Sequence, residues 1–261
     1  MKDKNLGDII IEIKKLGVDY TGSNEPVKAI HDINLTIHRG DFICVLGPSG
    51  CGKSTLLKVI AGFLKQTEGT FLMNGKEVVG PDWNRGVVFQ SASLYPWMSV
   101  RKNIEFGPKM KRLPKKDITE IATHYLEQVN LLKFEDQVIF ELSGGMKQRV
   151  ALARVLANEP EVMLMDEPLG ALDALTRIQM QKLIRDIWKK NHNTIFMITH
   201  DVDEALSLGT RVLVMSSSPG TIIKELNLDF IENAVDSRTG RVQINEEYLK
   251  LKEAILDLID T

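Results

Sequence analysis

Between an apolar run, "FICVL" at 42–46, and a helical pattern that begins at Lys53 lies the stretch "GPSGCGKST", residues 47–55. No other feature constrains the fold as much. Gly47, Gly50 and Gly52 let the backbone curl until successive amides face one point, and a helix start directly behind them adds its positive end. The spacing fits Gly-x-x-x-x-Gly-Lys-Ser, a phosphate cradle. Lys53 would reach the β- and γ-phosphates of a nucleotide and Ser54 would ligate Mg²⁺, with Pro48, Ser49, Cys51 and Thr55 completing the turn. Such a loop works only between a buried strand and a helix, so an α/β fold is expected.

The rest of the chain supplies the partners that such a strand needs. Residues 9–20 and 30–46 are rich in β-branched side chains and broken at Gly17, Pro26 and Gly40, which reads as antiparallel hairpins leading into the buried strand. Leu56, Leu57, Ile60, Ala61 and Leu64 follow at helical spacing, and Gly69 and Gly75 bracket a further short strand. The character changes over 100–140, which is charged and helical, with Pro108 and Pro114 as punctuation and "ITEIATHYLEQVNLL" as an amphipathic helix. An inserted helical lobe over about 91–160 is expected. Strands return in "EVMLMDE", "TIFMITH" and "TRVLVMS" with helical patterns between them, which predicts a largely parallel sheet covered by helices. The chain closes on an amphipathic helix, "EEYLKLKEAILDLI".

Two of these strands deliver chemistry at their carboxyl ends. In "VMLMDE", Asp166 suits a Mg²⁺ hydration shell and Glu167 suits an attacking water. Neighbouring carboxylates at a strand end also occur as a plain solvated turn, and the upstream glycine loop is what favours catalysis. In "ITHD", a neutral His200 would donate a hydrogen bond to a terminal phosphate. Gln90 closes "RGVVFQ" where the lobe begins, in reach of both metal or water and the lobe. A second anion device stands far downstream, "LSGGMKQR" at 142–149, with Ser143 followed by the free amides of Gly144 and Gly145 at a helix start.

Composition narrows the class. At 261 residues and 43% hydrophobic, the chain can bury one large core with an insertion. Lys and Arg total 33 against 35 Asp and Glu, a formal charge of −2, which gives no reason to expect nucleic acid. Cys44 and Cys51 have neither disulfide-framework nor metal-ligand spacing, as in a reducing compartment; Cys51 is expected to react with thiol reagents unless nucleotide protects it. The apolar burst near the start breaks at Glu12 and is not read as a signal peptide. No stretch approaches the roughly 18 uninterrupted apolar residues of a spanning helix, so any membrane role is that of a peripheral partner.

Taken in order, these motifs resemble the ATP-binding subunit of ATP-binding-cassette (ABC) transporters over about residues 9–225. They comprise the Walker A "GPSGCGKST", the Q-loop Gln90, the signature "LSGGMKQR", the Walker B "VMLMDE", the D-loop "GALD" and the switch His200. The resemblance implies a P-loop, RecA-like core with a mixed, largely parallel sheet, an N-terminal antiparallel β subdomain and an inserted helical subdomain, followed by a C-terminal extension over 226–261. It implies Tyr20 as the aromatic that stacks on adenine, from the loop after the first strand. It also implies a head-to-tail dimer, in which Ser143, Gly144 and Gly145 of one copy meet the γ-phosphate held by Lys53 of the other, with Asp173 at the same interface. Separate transmembrane permease subunits and an extracytoplasmic substrate-binding protein would complete a bacterial importer at the cytoplasmic face of the membrane. The alternative is a soluble ABC ATPase, although such proteins usually carry two cassettes or a long coiled-coil insertion.

"GPDWNRGVVFQSASLYPWMSV" looks most like the nitrate, sulfonate and taurine importer branch. Met146 stands where glutamine is commoner and Gly170 where the D-loop usually has serine, and the tail lacks a Pro/Arg-rich stretch. Leu94, Tyr95, Pro96, Trp97 and Met98 read either as lobe core or as a groove that receives a permease helix.

Overall fold

The computed structural model describes residues 7–20, 27–228 and 244–260. Its strands fall into two sheets. β1 (Ile9–Tyr20) and β2 (Val27–His38) pair antiparallel, Ile11 opposite Ile37 and Ile13 opposite Leu35, so that these four side chains are buried together. The stretch 30–46 does not stay in this sheet. The chain turns at Gly40, whose φ of 87° favours glycine, and β3 (Phe42–Leu46) opens the second sheet. After α1 (Lys53–Ile60), β4 (Glu68–Met73) and β5 (Lys76–Glu77) return to complete the first sheet in the order β2-β1-β4-β5.

β6 (Arg85–Val88) begins the far edge of the second sheet. Between it and β7 (Val162–Asp166) come α2 (Val100–Met110), α3 (Lys115–Gln128) and α4 (Gly144–Leu156), joined by short 3₁₀ turns. Ser99 caps α2 by accepting from the Lys102 amide at 3.4 Å, and Pro114 precedes α3. α5 (Ala174–Asn191), β8 (Thr194–Ile198), α6 (Val202–Leu208), β9 (Arg211–Met215) and β10 (Ile222–Asn227) follow. The second sheet has the order β10-β9-β3-β8-β7-β6, parallel except for β10. α7 (Glu246–Asp260) lies against α6 and β9.

A parallel sheet covered on both faces must be apolar on both. Phe42, Cys44 and Leu46 accordingly join one core with Met163, Met165, Ile195 and Met197 beneath the helices, while Ile43 and Val45 join the other with Leu164, Phe196, Ile198 and α1. That second core also holds Ile11 and Ile13 of β1 and Ile33 and Ile37 of β2, so the first sheet is a lid on α1 and the strand before it.

The strand register fixes where the chemistry sits. Val88 pairs with Met165, Asp166 with Ile198, and Ile198 with Val45. Gln90, Glu167, His200 and Gly47 therefore leave the sheet within two residues of one line across its carboxyl edge, the edge at which open α/β sheets bind ligands.

Candidate functional site

At the end of β3 the glycines are needed for different reasons. Gly47 and Gly52 have φ of 153° and 97°, and a Cβ would stand 2.8 Å from the Met215 carbonyl at the first and 2.8 Å from the Ala29 carbonyl at the second. Gly50, φ 79°, faces open space, so only its backbone angle demands glycine. α1 has no side-chain cap, which leaves its first amides to the loop. The Lys53 ammonium, itself buried, donates to the carbonyls of Gly47 at 2.7 Å and Pro48 at 2.8 Å. Cys51 is fully buried with its Sγ 3.7 Å from that ammonium, so the expected thiol reactivity is denied by packing until the loop opens. Tyr20 is the last residue of β1 rather than part of the loop after it. It is partly exposed, and its hydroxyl lies 3.2 Å from Thr55 Oγ1.

Beside the loop, Ser54 donates to Asp166 Oδ1 at 3.3 Å. Burial pushes the Asp166 carboxyl up, and Glu167 next to it adds to this, against the lowering effect of Ser54 and of two lysines. One hydroxyl and one carboxylate side by side fit a Mg²⁺ that keeps waters and takes phosphate oxygens, rather than an all-protein cage. No group of three or more His, Cys, Asp or Glu suited to a metal occurs among the described residues.

Glu167 adopts φ 45°, an uncommon conformation for a residue with a side chain, held by its amide donating to Ile198 at 3.0 Å. The turn aims its carboxylate at two neighbours: Gln90 Nε2 donates to Oε2 at 3.4 Å, and His200 Nδ1 lies 3.4 Å from the same oxygen. One carboxylate thus meets the ends of three strands. The arrangement suits an acceptor for a water proton, flanked by two groups able to sense a terminal phosphate.

The second anion device has a different setting. Ser143 caps α4, its Oγ accepting from the Met146 amide at 3.3 Å, and both Ser143 and Gly144 are exposed. Gly145 is buried, and a Cβ there would overlap the Thr176 methyl at the start of α5. Asp173 caps α5 through the Thr176 amide at 3.0 Å, and these hydrogen bonds hold its carboxyl below the ordinary range. A Cβ at Gly144 would meet nothing within 4 Å.

Asn103 and Arg154, which motif reading passes over, hold the segment around Gln90 together with Gln148 of the signature stretch. Asn103, fully buried, accepts from the Tyr95 amide at 2.9 Å and donates to the carbonyls of Tyr95 and Ser99. Arg154 of α4 donates to the Ser93 carbonyl at 2.9 Å and lies over the Tyr95 ring, and Gln148 donates to the Phe89 carbonyl at 3.4 Å. The signature helix and the segment 89–98 are therefore tied together. The apolar cluster divides: Leu94 packs on the core, Tyr95 is half-buried between Trp97 and Phe106, and Trp97 is 75% exposed. No helix among the described residues is long and apolar enough to cross a membrane.

The ABC transporter family profile matches residues 30–170. The chain is 51% identical over 250 residues to the taurine import ATP-binding protein TauB of Roseobacter denitrificans, covering 95% of this chain and 93% of that one. It is 46% identical to the nitrate import ATP-binding protein NrtD of Synechocystis, covering 95% and 94%. Among solved structures, the ATP-binding cassette MJ0796, a dimer bound to ADP and Pi in a post-hydrolysis state, superposes with a TM-score of 0.74 at 30% identity, covering 84% of this chain and 99% of that one.

Proposed function

Since the chain belongs to the ABC transporter family, in which it is an ATP-binding, ATP-hydrolysing subunit of the import type, we propose a residue-level account of how it works. The observation that carries it is the gathering of Gly47, Gln90, Glu167 and His200 on one sheet edge, while the capped end of α4 stays exposed.

Adenine stacks on Tyr20, and the phosphates take the amides of 47–55 together with Lys53, whose ammonium exchanges the Gly47 and Pro48 carbonyls for phosphate oxygens. Ser54, Asp166 and Gln90 are the residues that would hold Mg²⁺, and the ion would supply neutralisation of phosphate charge. Glu167 orients and deprotonates the attacking water. His200 donates to the γ-phosphate and holds Glu167 in register. Ser143, Gly144 and Gly145 of a second copy close the same phosphate head to tail, with Asp173 alongside. Amide donors and a positive helix end favour only the state that contains the terminal phosphate, so hydrolysis loosens the dimer.

The ATPase unit spans 9–225 with its helical subdomain over about 91–160, and the extension over 226–261 begins inside β10. Trp97 and its neighbours receive a helix of a separate permease subunit, which holds the chain at the cytoplasmic face of the membrane, and an extracytoplasmic binding protein delivers cargo. Similarity to proteins named for taurine and nitrate import supports a small anionic or zwitterionic solute of that kind, sulfonates included. Co-expression with the neighbouring membrane subunits tests this. The subunits should co-purify, and Mg·ATP turnover should rise when binding protein loaded with taurine or nitrate is added. Turnover without any association with a membrane subunit would overturn the importer reading in favour of a soluble ATPase.

A further inference from the structure

The C-terminal helix α7 makes a contact that the catalytic scheme does not use. Its buried face presents Tyr248, Leu251 and Ile255 to the core, and Tyr248 is only 4% exposed. From that face Tyr248 donates its hydroxyl to Asp203 Oδ1 at 2.5 Å, and one turn on Lys252 donates to Oδ2 at 2.8 Å. Both oxygens of one carboxylate are gripped by one helix. Partial burial pushes the Asp203 carboxyl up, but the hydrogen bonds from Lys252 and Tyr248 outweigh this and hold it below the usual range.

Asp203 is in the first turn of α6, three residues after His200. Its amide donates to Asp201 Oδ1 at 2.8 Å, and the Glu204 amide shares that cap at 3.2 Å. The Asp201 amide in turn donates to Thr199 Oγ1 at 3.0 Å, and that hydroxyl donates to the buried Glu204 at 2.7 Å. His200 is thus enclosed in a turn whose residues on both sides are mutually bonded. Arg177 of α5 also reaches this turn, spanning the Leu172 carbonyl, 3.1 Å, and the carboxylates of Asp201 and Glu204 at 3.6 and 3.7 Å. The turn has two braces, one from the D-loop helix and one from the end of the chain.

We propose that α7 is a positioning element for hydrolysis: through Tyr248 and Lys252 on Asp203, it sets the turn 199–204 and so the placement of His200 against Glu167. Neither residue touches nucleotide; they act through the histidine. The inference rests on the reading of His200 as the group that meets the γ-phosphate.

Tyr248→Phe removes one hydroxyl and keeps the ring's packing, and Lys252→Met keeps most of the stem, so both chains should fold. In each, kcat for Mg·ATP should fall about fivefold with KM for ATP unchanged, as for a group that matters only after binding. The imidazole resonances of His200, assigned with a His200→Gln chain, should shift, while those of His31, His38 and His124 should not. Wild-type kcat in both variants would overturn the proposal, as would a lower kcat with unmoved His200 resonances, which would make α7 a stabilising strut. Failure of the underlying reading looks different: wild-type turnover by His200→Gln itself would remove the histidine from the chemistry, whatever α7 does.

Discussion

Two helix amino ends carry the anion sites of the proposed scheme, and they are finished differently. The end of α1 is enclosed by its own chain: Lys53 folds over the loop, Ser54 reaches Asp166, and Glu167, Gln90 and His200 converge beside it. The end of α4 is capped by Ser143 and otherwise exposed, and the bonds made by Ser143 oxygens stay within α4. In the proposed scheme one region is a site by itself and the other is half of one. The difference predicts which substitutions act within a single chain and which act only when two chains meet.

The largest effect should come from the enclosed region. Glu167→Gln keeps size and most hydrogen bonding but removes the acceptor for the water proton, so turnover should fall about a hundredfold or more while nucleotide still binds. Bound ATP should then accumulate a dimer visible by size-exclusion chromatography with light scattering. Near-normal turnover would remove Glu167 as the catalytic residue and break the comparison at its first half.

Gly144→Asp tests the exposed region. No atom lies within 4 Å of a Cβ there, so the fold should hold, but the new charge stands where the proposed scheme puts a γ-phosphate. Hydrolysis should drop by about two orders of magnitude, with ATP affinity of the monomer changed less than about threefold, since binding draws on the enclosed region alone. Equal loss of affinity and turnover in equilibrium binding would mean that both devices serve one chain. Gly144→Ala, which adds bulk without charge, should be far milder.

Gly145 separates packing from anion contact. Its absent Cβ is where the Thr176 methyl sits, so Gly145→Ala should destabilise by about 1–3 kcal/mol through overpacking. Thr176→Ser in the same chain removes that methyl and should restore most of the melting temperature. If it does not, the cost arises at the helix end and not at the α4–α5 contact.

Much of the enclosed region was legible because its demands are local. Gly52 needs a left-handed backbone, Lys53 must follow it into a helix, and an apolar strand must end in Asp166 and Glu167; each is written in adjacent residues. What could not be read depends on elements far apart in the chain. Cys51 looks reactive in a glycine loop and is sealed by the packing beneath it. The cluster over 94–98 admitted two readings, and the fold divides it, Leu94 inward and Trp97 outward. Asn103 and Arg154 were invisible as clamps because their targets are backbone carbonyls, which carry no sequence signal. The same holds for α7, whose amphipathic pattern predicted a buried face but not that Tyr248 and Lys252 would meet on Asp203.

The smallest expected effect concerns the support of the exposed region. Asp173 caps α5 at Thr176, the residue that Gly145 packs against, and its carboxyl is held below the ordinary carboxylate range because the Thr176 side chain and amide bond to its charged form. A carboxylate whose folded pKa is depressed stabilises fully above its unfolded value and loses that contribution as pH falls through the folded one. The melting-temperature gap between wild type and Asp173→Ala should therefore be constant from pH 7 down to about pH 4 and close below that. Asp173→Asn keeps an oxygen acceptor for the cap and loses only the charge, so its gap should be smaller throughout. A gap that widens on acidification would reverse the sign and mean that the ionised carboxylate strains this end of α5. In that case the Gly145–Thr176 contact, not the Asp173 cap, would be what supports the end of α4 from α5.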